Sequence, residues 1–463
     1  MKKIFLTIIA LLTIISFKLS AQEVGLGLVF DDVKYEASIK KAVLTRSLYT
    51  EIPRSYSMKK YAPEPKSQGQ YGTCVGWSTC YAGMTILESI SKNRTDKTST
   101  TNNTFCPGFV YKQIKSESDL YCKMGTYIDE ALEIIKTKGV VKYTSMTEVN
   151  CPTYITPSLF TDASNYKIKD YAKLFDMFES SEFKITAVKK SLSQNNPVII
   201  GMNVPESFYT ALGVWTPTES SSLSYGGHAM CVIGYDDDKY GGAFEIMNSW
   251  GTQWGNEGFI WVKYSDFNDF VKYAYEMIEF KTTVVEEERF NFGGSVRYIK
   301  SDATESKAIY NNGIYTVNEA YKSGTLFRMY ISNTQSTYVY AFGFDATEKT
   351  FPIFPYSEGI SPLLNYASNS VCIPDEDHYI QTDNTTGKDY MCVIYSKNVL
   401  DIESIKQAVE NSTGNFKDRV YSILKDKLVD NSTITFGQDN ISFSVKNSTK
   451  SVVALIIETE HVN

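Results

Sequence analysis

Asn248-Ser249-Trp250-Gly251-Thr252-Gln253-Trp254-Gly255 is the stretch on which the reading of this chain turns. It closes a β-branched and apolar run, Ala243–Met247, that reads as a strand. An amide at a strand end can accept an imidazole N–H, and the indole beside it can keep water off that bond. The chain has 3 His. His461 is third from the end and His378 sits in an acidic turn. His228 opens a strand after Gly226-Gly227, where the backbone can turn tightly and the ring can face a cleft. A further piece, Gln68-Gly69-Gln70-Tyr71-Gly72-Thr73-Cys74, ends where a helical pattern begins. The positive end of a helix favours a thiolate over a thiol, and an imidazole alongside would complete an ion pair. Gln68 can aim its amide where an acyl oxyanion forms, with the Cys74 backbone N–H as the second donor.

Read together, Gln68 through Trp77, then His228, then Asn248 through Gly258 resemble the papain-like (C1-type) cysteine peptidase family in its bacterial secreted form. The resemblance covers roughly residues 51–283. It implies an α+β, two-lobed fold. A helical lobe bears the nucleophile Cys74, a β-barrel-like lobe bears His228 and Asn248, and the substrate lies between them. The implied reaction is peptide-bond hydrolysis through a Cys74 thioester. His228 serves as base and acid, Asn248 orients it, and Gln68 lies in the oxyanion hole. No cofactor and no metal are implied, and the partner is a peptide or protein substrate. His228 stands 154 residues after Cys74, beyond the usual gap of about 130–150, so extra loop length is expected.

The chain also departs from the family pattern. Val75 follows the cysteine where an aromatic residue is usual, and Tyr71 replaces the family half-cystine, so that disulfide cannot form. The glycine pair lining the substrate channel reads as Gly125-Thr126. Gly227 and Trp250 are placed along the same channel, and Met277 near the pocket for the residue before the scissile one. These departures bear on substrate preference. Two other readings compete with an endopeptidase. One is an exopeptidase or acyl-transfer variant of the same triad. The other is an inactive homologue acting as a binding module, whose mark would be loss of Cys74, His228 or Gln68. A transglutaminase or amidase would more often carry Asp than Asn as its third member.

Around this core the chain has 463 residues, 43% hydrophobic and 21% charged, with net charge −7. That length predicts more than one domain, and the acidic balance argues against nucleic acid as a partner. Residues 1–21 read as a signal peptide. Lys2 and Lys3 are followed by an apolar run over Ile4–Phe17 and by the small residues Ser20-Ala21. The run is too short to span a bilayer with stability. No later segment is apolar enough for a span. Export is therefore expected, to the periplasm, the cell surface or the medium, where disulfides are permitted.

Residues 22–50 form an N-terminal extension of mixed pattern with no long periodic helix, so latency through a large removable prodomain is not expected. Trp77, Tyr81, Met84 and Leu87 trace one helix face, and further helices are expected over 109–114, 128–137 and 183–193. Strands are expected over 198–200, 229–235, 243–247 and 258–262. After the charged linker Glu286-Glu287-Glu288, residues 284–463 read as a separately folding, mainly-β domain with one helical stretch over 402–428. Its short motifs, Phe351-Pro352-Ile353-Phe354-Pro355 and Ile373-Pro374, resemble an uncharacterised β-rich domain that bacteria append to peptidases. Docking of the enzyme on a surface or a protein is its expected role. Disulfide candidates are Cys122 with Cys151 and Cys372 with Cys392. Cys80, Cys106 and Cys231 read as buried thiols.

Overall fold

The computed structural model describes residues 24–282 and 289–463. The expected signal peptide, residues 1–21, and the expected linker at Glu286–Glu288 lie outside the described residues. The helical lobe is built on one continuous helix over 74–91, made of Cys74–Gly76, a π-helical stretch Trp77–Met84 and Thr85–Ser91. Apolar residues surround it, so it is buried along nearly its whole length. Pro107–Ile114 and Ile128–Thr137 pack beside it. Gly139, at φ +88°, ends the last helix in the left-handed conformation that glycine adopts without strain. The expected helices are present to within two residues.

The second lobe is an antiparallel sheet in which Val214–Trp215 alone pairs in parallel, with Phe259–Lys263. In order it runs Tyr166–Lys173, Val271–Thr282, Val198–Val204, Gly226–Asp236, Ala243–Met247, Phe259–Lys263 and Val214–Trp215, with Ser55–Ser57 added to Gly226–Asp236. Sequence reading finds the central strands, which are apolar runs. It misses Tyr166–Lys173 and Val271–Thr282, whose Lys169, Asp170, Lys173 and Glu276 are buried only because other segments supply partners. Together these pieces make an α+β papain-like fold followed by a mainly-β region.

That region is a sandwich. One sheet orders Asn369–Ile373, Leu326–Asn333, Phe290–Lys300, Ile441–Ser448 and Ile434–Phe436. The other orders Ala308–Asn311, Ile314–Val317, Val452–Val462, Gly387–Ser396, Thr337–Phe344 and Thr350–Phe354. Val339, Ala341, Val393 and Leu455 face the first sheet. Their neighbours Tyr340, Phe342, Ile394 and Ile456 face the helices Ile402–Asn411 and Phe416–Leu424. Thr337–Phe344 is buried on both faces, which is why it reads as a continuous apolar run instead of an alternating one. The single expected helix over 402–428 is two helices, broken around Gly414, at φ +106°.

Two expectations need correction. Cys122 and Cys151 form a disulfide, but Cys372 and Cys392 are free thiols. They lie on strands of opposite sheets, and Cys372 Sγ donates to Asp375 O at 3.0 Å. The second region is also not an independent unit on a linker. Ile278 of the peptidase sheet sits in its helix-facing core. Ala42 and Leu44, from the N-terminal extension, are buried in its inter-sheet core.

Candidate active site

Cys74 begins the long helix, and the strand Gly226–Asp236 lies against it. The Ala229 N–H, one residue past His228, donates to Cys74 Sγ at 3.3 Å. His228 Nε2 bonds Asn248 Oδ1 at 2.8 Å. Asn248 Oδ1 also accepts the Ser249 N–H at 2.7 Å, which fixes the amide with its oxygen toward the ring. His228 Nδ1 has no hydrogen-bond partner among the described residues, leaving it available to a thiol proton. Trp250 stacks on the imidazole, with ring centroids 4.8 Å apart and planes at 28°, and Tyr209 stacks on Trp250. Trp250 therefore covers the His228–Asn248 bond. Gln68 is held by Ser249, whose hydroxyl donates to Gln68 Oε1 at 2.6 Å, so its Nε2 points the other way. The structure thus brings Gln68, Cys74, His228 and Asn248 together from three separate parts of the chain.

What fills the cleft was not anticipated. Residues 24–30, Val-Gly-Leu-Gly-Leu-Val-Phe, cross it as an extended strap. Gly25 donates to Gly69 O at 2.9 Å, and Gln68 Nε2 donates to Gly25 O at 3.0 Å. Leu28 N–H donates to Gly227 O at 3.1 Å, Thr126 N–H to Gly27 O at 2.9 Å and Val29 N–H to Thr126 O at 3.0 Å. Gly125, Thr126 and Gly227 therefore line the cleft and bind backbone. A Cβ on Gly25 would lie 2.1 Å from Tyr71 O, and one on Gly27 would lie 2.0 Å from Gly72 O. Only glycine lets the strap lie this close to the wall. Leu28 packs at Gly201 beside Tyr273, and Leu26 at Gly226. Gly201 and Tyr273 are the pocket residues that sequence reading missed. Met277, expected near that pocket, is instead fully buried against Gly83 beside Ile199. The signal for the strap was the Gly25-Leu26-Gly27-Leu28 alternation.

The strap reverses the expected electrostatics. Cys74 and His228 are each 0% exposed. Burial pushes the thiol up to about 12, although the N–H groups of Ala229, Gly27 and Val75 pull the other way. Burial lowers the imidazole to about 4, against the Asn248 hydrogen bond. The covered pair is a neutral thiol and a neutral imidazole, because in a dry site desolvation outweighs the helix end. The Gly27 N–H of the strap donates to Gly227 O at 3.3 Å, so the strap lies across the cleft without replacing the Ala229 N–H as the thiol's donor.

A cysteine, an imidazole and an orienting amide so arranged are the groups that thiol-dependent acyl transfer uses. Residues 52–272 match the papain family cysteine protease model, so the chain contains a papain-family cysteine peptidase domain. Among curated relatives, it is 25% identical over 243 residues to an uncharacterized peptidase C1-like protein of Acanthamoeba polyphaga mimivirus, covering 49% of this chain and 75% of that one. It is 26% identical over 267 residues to a cysteine protease of Blomia tropicalis, covering 56% and 74%. Among solved structures it is similar to xylellain, a cysteine protease from Xylella fastidiosa, at 19% identity and TM-score 0.45, covering 56% of this chain and 97% of that one.

Two outcomes follow from the buried pair. Gly27→Val should expel the strap and raise the rate of Cys74 alkylation by iodoacetamide at least tenfold, read by mass spectrometry. An unchanged rate would mean that the strap does not limit access. Second, releasing the strap returns His228 toward its usual 6.5, so below that pH the open form binds more protons than the closed one. Acid therefore favours release, progressively from pH 6.5 to about 4, by up to about two orders of magnitude in the opening constant. Amide protection over 24–30, corrected for intrinsic exchange, should fall across that window. Constant protection down to pH 4 would contradict this.

Proposed function

We propose that the chain is an exported cysteine endopeptidase, synthesised in a latent form. The observation that carries the reading is the pairing of His228 Nε2 with Asn248 Oδ1 while Nδ1 is unpartnered and Cys74 Sγ lies against the same strand. With the strap displaced, water and substrate reach the pair. His228 Nδ1 takes the Cys74 proton, and the thiolate adds to the scissile carbonyl. The oxyanion so formed is stabilised by Gln68 Nε2, the donor that the strap occupies with Gly25 O. The imidazolium then returns its proton to the leaving amine as the C–N bond breaks, giving a thioester. Water, deprotonated by the same imidazole, hydrolyses the thioester and regenerates the thiol.

Endopeptidase is favoured over exopeptidase because the cleft already holds continuous backbone from Gly25, at Gln68, to Val29, at Thr126. A site closed at one end could not do so. The Leu28 position beside Tyr273 favours an apolar substrate residue there. Export rests on residues 1–21 and on the disulfide between Cys122 and Cys151. No helix among the described residues is long and apolar enough to cross a membrane. Docking on a surface or protein partner remains the role proposed for the second domain.

Cys74→Ala and His228→Ala should each abolish hydrolysis by strap-released enzyme without loss of fold. Asn248→Ala should do less harm. Gln68→Ala should lower kcat about 10²-fold or more with little change in KM, since its donor acts on charge present only in the transition state. A pure KM effect would assign Gln68 to substrate binding, and residual activity of Cys74→Ala above a few per cent would end the assignment. N-terminal sequencing of the exported protein should begin near Gln22. Retention of Met1 in that material would refute cleavage of a signal.

A further inference from the structure

The strap is thin. It contacts the cleft through a handful of backbone hydrogen bonds and the side chains of Val24, Leu26, Leu28 and Phe30. Such a segment binds weakly as a free peptide and holds only because its tether keeps it at high effective concentration. Occupancy of the cleft is therefore set by what holds the chain just beyond the strap. Helix Asp32–Ala37 follows, docked on the peptidase by Tyr35, whose hydroxyl donates to Phe175 O at 2.7 Å. The next residues, 39–46, are gripped from both sides.

Along one edge of that piece, Lys173 N–H donates to Ile39 O at 2.9 Å and Lys41 N–H to Lys173 O at 3.0 Å, both to the peptidase sheet. Along the other edge, Lys40 N–H donates to Gly359 O at 2.7 Å and Ser361 N–H to Lys40 O at 2.8 Å, both in the second domain. Lys41 is buried and donates to Glu276 Oε1 at 2.7 Å and to Asn365, and its ammonium lies 3.5 Å from the centre of the Tyr366 ring. Glu276 also accepts from the Tyr366 hydroxyl at 2.8 Å, from Ser191 at 3.0 Å and from Asn365 at 3.2 Å. Three chain segments thus meet on one carboxylate. Beyond it, Ala42 and Leu44 enter the second domain's core, Thr45 N–H donates to Ser370 O at 2.9 Å, and Arg46 N–H to Glu376 at 2.6 Å.

We infer that the second domain is the latch of the strap: by clamping residues 39–46 it sets how readily residues 24–30 leave the cleft. Whatever loosens the surface around Gly359–Asp377, whether a ligand of that domain or a cut in it, is then transmitted to Cys74 without touching the peptidase lobes. This deepens the latency reading given above and depends on it, but the readout below does not require hydrolysis.

The test uses the full chain. Leu44→Asp places a carboxylate in the second domain's core. Lys41→Met keeps the side-chain volume and leaves Glu276 its three other donors, and it is the variant that decides if Leu44→Asp does not fold. Amide exchange over 39–46 and over 24–30 is measured together with the rate of Cys74 alkylation. Faster exchange in both segments and at least tenfold faster alkylation are expected. Gly27→Val should speed alkylation while leaving exchange over 39–46 unchanged. Loosening of 39–46 with alkylation within twofold of the parent would overturn the inference, since the latch would not reach the cleft. Unchanged exchange over 39–46 would overturn it too, since the second domain would not be what holds that segment. If Gly27→Val exposes a thiol that labels yet no peptide is cut, the peptidase reading fails and the latch stands.

Discussion

Glu276 is the group on which the arrangement of the chain depends. It sits in the middle of a peptidase strand and is 0% exposed. A buried carboxylate left without donors costs several kcal/mol, so this strand can be buried only where donors converge. Those donors are Lys41 from the N-terminal extension, Ser191 from a peptidase helix, and Asn365 and Tyr366 from the second domain. Lys41 supplies the countercharge, and Ser191, Asn365 and Tyr366 supply neutral donors. The same requirement fixes where residues 39–46 run and how the second domain abuts the first.

From that fixed point the chain leads back to the cleft. The strap covers the reacting groups and, in doing so, changes their chemistry. An open cysteine–imidazole pair at a helix start is poised to ionise. The covered pair is neutral, because desolvation acts on both charges at once. On the proposed function, latency is steric and electrostatic together, since Gln68 Nε2 is used by Gly25 O.

The convergence of the candidate residues was legible in the chain because it depends on residue types that few other constraints would place together. Gln68, Cys74, His228 and the Asn248 block sit at strand ends and at a helix start, where local pattern is strong. Gly125-Thr126 and Gly227 were legible as cleft wall for the same reason. Met277 was misread because its position along a strand does not tell which face is core. Cys372 and Cys392 were paired by elimination, yet the two lie on different sheets. Tyr166–Lys173 and Val271–Thr282 carry charges that read as exposed and become interior only after their partners arrive.

The sequence by itself determined the peptidase class, the order of the reacting groups and the presence of a second, mainly-β region, since each follows from local motifs and short-range periodicity. Tertiary structure alone decided what residues 24–50 do. Glycine and leucine alternating over four residues have no meaning until a wall stands within van der Waals distance of their α-carbons. A lone Lys41 has none until a carboxylate, an amide and a tyrosine ring from distant segments close around it. Contacts of that range are set by the packing of the whole chain, and no local pattern encodes them.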